Sequence, residues 1–198
     1  MNKIFNQINN KELERLEIQK TNRKLELEIM KNLDFEIFLP IEGFNNYFVS
    51  NFGNIKNYKT NKIMKQRNDK DGYKLISLYK NDKQKCLRVH RLVVIAFIDN
   101  PYNKAFVDHI DNNPANNMVK NLRWCSQNEN EYNKGKLKNN TSGFRGVHFD
   151  KKSNKYISRI MINGKRTRLG VFETADEASK KFKEVAKVVH GEFYSVKN

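Results

Sequence analysis

The run AFVDHIDNNPANNMVKNLRWCSQNEN, residues 105–130, leaves a chain few ways to fold. AFVDH is an extended stretch, and NLRWCS is a second one that carries Leu122 and Trp124 on one face. The segment between them, DNNPANNMVK, suits a compact loop in which Asn side chains bond neighbouring backbone groups. Ser126 and Glu129, three residues apart, form the capping box of a helix that begins there. The expected order is strand, loop, strand, helix.

This order brings Asp108 and His109, at the end of the first strand, towards Asn130 in the first turns of the helix. Adjacent residues of a regular strand point to opposite faces, so the pair can share a site only if the chain bends there. The residue types match phosphodiester hydrolysis, which needs a cation for the charge developing on the phosphate and a base for the attacking water. Asp108 and the amide oxygen of Asn130 are hard oxygen ligands suited to Mg2+, with Mn2+ as an alternative. His109, whose unperturbed pKa is about 6.5, can act as the base. Asn121 can brace the loop against the strand, and Arg123 can hold a phosphate.

The charge balance points the same way. Lys and Arg number 38 against 22 acidic residues, a formal charge of +16. The first 35 residues are nearly neutral, so the excess lies where apolar and aromatic residues are interleaved with it. Basic folded surface of this kind favours a polyanionic partner, duplex DNA first. Cys86 and Cys125 form no C-x-x-C pair, so neither a zinc knuckle nor a disulfide framework is expected and a reducing, intracellular compartment fits. No apolar run approaches the roughly 18 residues of a membrane span, and no signal-peptide core is present, so a soluble protein is expected. Nothing calls for an oligomer, and a monomer is the starting assumption.

Along the chain, residues 1–35 read as a charged helical extension or tether. Leu13, Leu16, Leu27 and Met30 would suit a heptad that Lys20 and Arg23 interrupt. Residues 36–88 form a β-rich module with turns at NFGN (51–54) and DKDG (69–72), the second followed by the alternating strand YKLISLYK. RVHRLVVIAFI is continuously apolar after Arg91 and fits either a buried strand or a short buried helix. KGKLKNNTSG reads as a linker, separating a module at 89–138 from one at 139–198.

The last module is expected to hold three strands, the second and third joined by an Asn163-Gly164 turn, and then a helix. Thr174 is its N-cap, Ala178, Phe182, Val185, Ala186 and Val189 form its apolar face, and Gly191 stands near its stop. Arg159, Arg166 and Arg168 can share one sheet face with Arg145 nearby. They are candidate DNA contacts together with Lys165 and Tyr156 and, upstream, His90 and Arg91. His90 equally suits a role in ordering the core. The fold class is α+β, built of small modules.

VHRLVVIAF, VDHIDNNPANNMVKNLRW and the following EN closely resemble HNH nucleases of the homing-endonuclease type, whose ββα-metal motif cuts DNA. The resemblance implies that His109 is the general base, Asp108 and Asn130 bind the metal and Asn121 supports the architecture. Asn at the last position, where many members have His, implies a one-metal enzyme, with single-strand nicking as one outcome. IEGFNNYFVSNFGNIKN resembles the modular DNA-binding segment that precedes such motifs, and SGFRGVHFD through AKVVHG resembles the Apetala-two/ERF DNA-binding domain. A viral, phage or other mobile-element origin follows from the same resemblance. The competing reading is a sequence-specific DNA-binding regulator with an inactive nuclease core.

Overall fold

The computed structural model describes residues 2–134, 140–162 and 164–194, with side chains from residue 16 onward. The chain divides into two compact units, residues 1–103 with 114–123, and residues 104–113 with 124–198. The stretch 89–138, expected to be one module, is therefore shared between them. Of the expected linker, residues 135–139 lie outside the described residues.

The first unit begins with α1 (Asn2–Lys31). Most of the described part of α1 is exposed, as expected for a solvated helix, while Leu27 is buried and Leu16 is not. A four-stranded antiparallel sheet follows, in the order β1 (Phe38–Pro40), β2 (Tyr47–Ser50), β3 (Ile55–Asn57) and β4 (Lys62–Ile63). The NFGN turn joins β2 to β3, and Gly53 supplies its positive φ of 87°. Asn51 in that turn is buried, and its side chain accepts from Ile37 N and donates to Phe35 O, fixing the start of β1.

A second sheet of β5 (Arg67–Asn68), β6 (Lys74–Lys80) and β7 (Lys83–Arg88) is also antiparallel. Its DKDG turn is held by Asp69, whose carboxylate accepts from Asp71 N and Tyr73 N. The apolar run that could be strand or helix is α2 (Val89–Phe97). Val89, His90, Leu92, Val93, Val94 and Phe97 are buried while Arg91 and Ile95, four apart on one side of the helix, are exposed. With Val49, Ile55, Ile76, Leu78, Val119 and Leu122 they make up the core of this unit. Among the described residues no helix is long and apolar enough to cross a membrane.

The second unit holds β8 (Phe106–His109), which pairs with β9 (Leu122–Cys125) as a two-stranded sheet; β9 crosses from one unit into the other. Next come α3 (Gln127–Asn133), an antiparallel sheet of β10 (Val147–Asp150), β11 (Lys155–Ile162) and β12 (Lys165–Phe172), and α4 (Ala175–His190). Ile162 pairs with Lys165 across a two-residue connection; Asn163 lies outside the described residues, and Gly164 has φ 77°. Thr174 caps α4 as expected, and Glu177 completes a capping box with it. Ala178, Phe182 and Ala186 are buried, Val185 is half-buried, and Val189 is largely outside the core, its place taken by His190.

Gly146, just before β10, has φ 72°, and a Cβ there would sit 2.2 Å from the Phe182 ring and 2.8 Å from Arg159 O. Left-handed strain and overpacking add, so Gly146→Ala should lower stability by about 3 kcal/mol. Urea denaturation checks this.

Candidate nuclease site

The site begins with a turn. β8 ends at His109, whose carbonyl accepts from Asn112 N at 2.8 Å, and Asn112 takes φ 59° to close the turn. Asp108 and His109 both lie within β8, and the turn follows after His109. Further along, Asp111 Oδ1 accepts from Asn113 N, Asn116 Oδ1 accepts from Met118 N, and Asn121 Nδ2 donates to Asn116 O at 2.8 Å. The Asn-rich loop does bond its own backbone. Asn121 is buried, and Arg123 is half-buried.

α3 is placed by its cap. Ser126 accepts from Glu129 N, and Glu129 accepts in return from Ser126 N. Glu129 also receives Lys104 Nζ at 2.8 Å. Burial alone would raise this carboxyl, but the hydrogen bonds from Lys104 and Ser126 outweigh it and hold it below its ordinary value. The stability it contributes is present above the unfolded carboxyl's pKa and is lost as pH falls through the lowered folded one.

The other end of α3 carries the contact that organises the site. Asn133, 1% exposed, donates from Nδ2 to Asp108 Oδ1 and to His109 O, both at 2.8 Å. Asp108 and His109 are themselves only 4% and 7% exposed. One amide therefore ties the helix to both members of the sequence-predicted pair. Asn133 was not singled out from sequence; only its place one turn beyond Asn130, on the same helix face, could have suggested it. Asn130 lies one turn before Asn133 on the same helix.

The donor chemistry fits a hard divalent cation. Among the described residues no group of three His, Cys, Asp and Glu side chains gathers, so a closed protein cage is not built. A single buried carboxylate, Asp108, leaves most positions of a hard divalent cation to amide, water and phosphate oxygens, the sparse coordination that Mg2+ accepts.

The candidate DNA contacts separate into groups. Arg159 pairs with Arg168, and Met161 with Arg166, so the three arginines share one face of the β10–β12 sheet. Ile160, on the opposite face, packs on Phe182 and Ala186 of α4. Burial lowers the pKa of His148, and the nearby Arg159, with Arg166 and Arg168, lowers it further against a weaker pull from Asp150. Those arginines are thus near enough to act on one imidazole.

Tyr156 differs from the expectation. Alternation puts it on the face of Ser158 and Ile160, and its ring lies 5.1 Å from that of Phe149. Lys165, opposite Ile162, is exposed on that same side of the register. Arg145 also differs: it donates from Nη1 to Tyr132 O at 2.8 Å and from Nη2 to Glu131 O at 3.0 Å, spending its fork on the end of α3. His90 is 5% exposed, its ring 5.2 Å from that of Tyr73, so it belongs to the core, whereas Arg91 is exposed.

His190 closes this side of the unit. Its ring stacks on Tyr132 at 3.8 Å, Nε2 bonds Met161 O at 3.0 Å, and the buried Nδ1 has no hydrogen-bond partner. Burial first, and Arg145 in addition, lower its pKa, while the Met161 bond opposes them. The unfolded imidazole takes up a proton near pH 6.5, where the folded one resists, so stability should fall as pH drops below about 6.5 and level off under the folded value. Urea denaturation from pH 8 to 5.5 should show this loss, reduced in His190→Phe, which keeps the stack.

These features define a class: a ββα core in which a capped helix clasps an Asp-His pair. Residues 87–132 match the HNH endonuclease family, and residues 36–79 match the NUMOD4 motif. Over these residues the chain is similar to HNH endonucleases. It is 41% identical over 101 residues to DNA endonuclease I-HmuI of Bacillus phage SP01, covering 49% of this chain and 58% of that one. It is 34% identical over 133 residues to an uncharacterized HNH endonuclease of Acanthamoeba polyphaga mimivirus, covering 67% and 40%. The solved structure of the HNH homing endonuclease I-HmuI aligns over 79% of this chain and 91% of its own, with 30% identity and a TM-score of 0.47. The chain spans less than two thirds of the length of these curated relatives, which come from viruses and phages.

Proposed function

We propose that the protein is a divalent-metal-dependent DNA endonuclease of homing type that hydrolyses phosphodiester bonds in duplex DNA. The observation that carries this is the Asn133 clasp, which holds Asp108 and the His109 carbonyl within a segment that matches the HNH family. Asp108 and Asn130 would hold Mg2+ or Mn2+, which when bound offsets the charge developing on the phosphate and the leaving oxygen. His109 takes the proton from the attacking water. Asn121 stiffens the loop through its bond to Asn116 O, and Arg123 binds a phosphate of the substrate.

Two parts of the chain hold DNA. Arg159, Arg166 and Arg168 present one basic face, as an Apetala-two/ERF-type sheet would to the major groove. The NUMOD4 region with exposed Arg91 supplies a second grip. One protomer holds the whole set, and a mobile genetic element is the natural setting for a chain whose relatives are viral and phage endonucleases.

A supercoiled plasmid carrying the target is the direct substrate. Purified protein should relax or linearise it with Mg2+ and leave it supercoiled with chelator. Equal cleavage under both conditions would remove the metal from the account.

A further inference from the structure

Arg145 lies outside the HNH segment, 13 residues beyond Tyr132, and its guanidinium binds the last carbonyls of α3. Its two bonds go to Tyr132 O and to Glu131 O, which also accepts from Lys134 N, at the end of the helix where carbonyls lack the regular i+4 partner. The same guanidinium lies 5.7 Å over the ring of Phe182, a core residue of α4. Beside it, the His190 ring lies flat on Tyr132, with an interplanar angle of 5°, and is fixed by Met161 O of β11. The residue that follows Tyr132 is Asn133. The contacts thus run without a gap from α4 and β11, through Arg145 and His190, to the end of α3 and on to Asp108 and His109 O.

We propose that Arg145 and His190 are positioning residues of the nuclease site, holding α3 by its C-terminal end so that Asn133 fixes the Asp108 carboxylate and Asn130 stays in line with it. The three-stranded sheet with its helix is then part of the catalytic apparatus as well as a grip on DNA. A cavity of about 510 Å3, lined by Tyr132, Arg145, His148, Arg159, Phe182 and His190 among others, lies beside these contacts. Close packing around the end of α3 is therefore incomplete, and these few bonds and the stack carry its placement. The inference rests on Asp108 and His109 being the reacting pair.

The test uses the full chain with Arg145→Lys and Arg145→Ala, and three readouts. These are nicking turnover at saturating DNA, DNA affinity by mobility shift in chelator, and hydrogen exchange of the Asn133 side-chain amide by NMR. Lysine keeps a charge for a phosphate but cannot span two carbonyls, so it separates the two roles of Arg145. Both variants should lose about 10- to 100-fold in turnover, the scale of a displacement near 1 Å, while DNA affinity stays within about twofold. The Asn133 amide should exchange at least about tenfold faster, and guanidinium added to Arg145→Ala should recover part of the turnover. The proposal is overturned if Arg145→Lys keeps full turnover, or if DNA affinity falls in step with rate while the Asn133 amide stays protected. Should the parent protein cleave nothing, the endonuclease reading itself fails, and the exchange measurement alone still decides whether Arg145 holds Asn133.

Discussion

His109→Ala should lower the rate of DNA cleavage by about 10²- to 10⁴-fold while leaving DNA affinity unchanged, the range that a positioned general base contributes. His109 is 7% exposed at the end of β8, and the structure holds its backbone through Asn133 and Asn112. Removing the imidazole therefore leaves the main chain and the adjacent Asp108 in place. Single-turnover cleavage, which isolates the chemical step from DNA binding and product release, gives the sharper reading. A variant that cleaves as fast as the parent would assign the activity to another group.

Asn133→Ala should be among the most destabilising single changes in the second unit, at about 3 kcal/mol by urea denaturation. Its amide serves two acceptors at 2.8 Å, one of them a carboxylate only 4% exposed. Hydrogen bonds to charged groups contribute about 1.5–3 kcal/mol, and a buried carboxylate that loses a donor adds to the loss. Asn133→Asp should be worse, since it sets a second carboxylate against the first. Both variants should also slow cleavage, because the helix that carries Asn130 is no longer tied to Asp108. An Asn133→Ala protein as stable as the parent would mean that the clasp contributes little.

What could be read from sequence was local. The Ser126–Glu129 box and the Thr174 cap need only three-residue spacing, and both are present as expected. The Asn-rich loop declared itself because Asn and Asp bond backbone within a few residues. α2 was ambiguous at eleven apolar-rich residues, because residues 92, 93 and 94 are all buried and only exposed Arg91 and Ile95, four apart, mark the helical spacing. Distance along the chain hid the rest. Asn133 is one of several Asn residues in QNENEYN, and its partners lie 24 and 25 residues away. The partners of Arg145 are main-chain carbonyls, which no side-chain pattern marks. Tyr156 could have been placed by strand alternation, since it is three residues from Arg159 and so on the opposite face.

The most direct measurement is a crystal structure of the protein grown with Mn2+ and DNA, with the ion located by its anomalous scattering. An ion bound by a carboxylate oxygen of Asp108 and Oδ1 of Asn130, about 2.0–2.2 Å from each and touching a phosphate oxygen, is the expected result. An ion bound elsewhere, with Asp108 and Asn130 facing apart, would contradict the account.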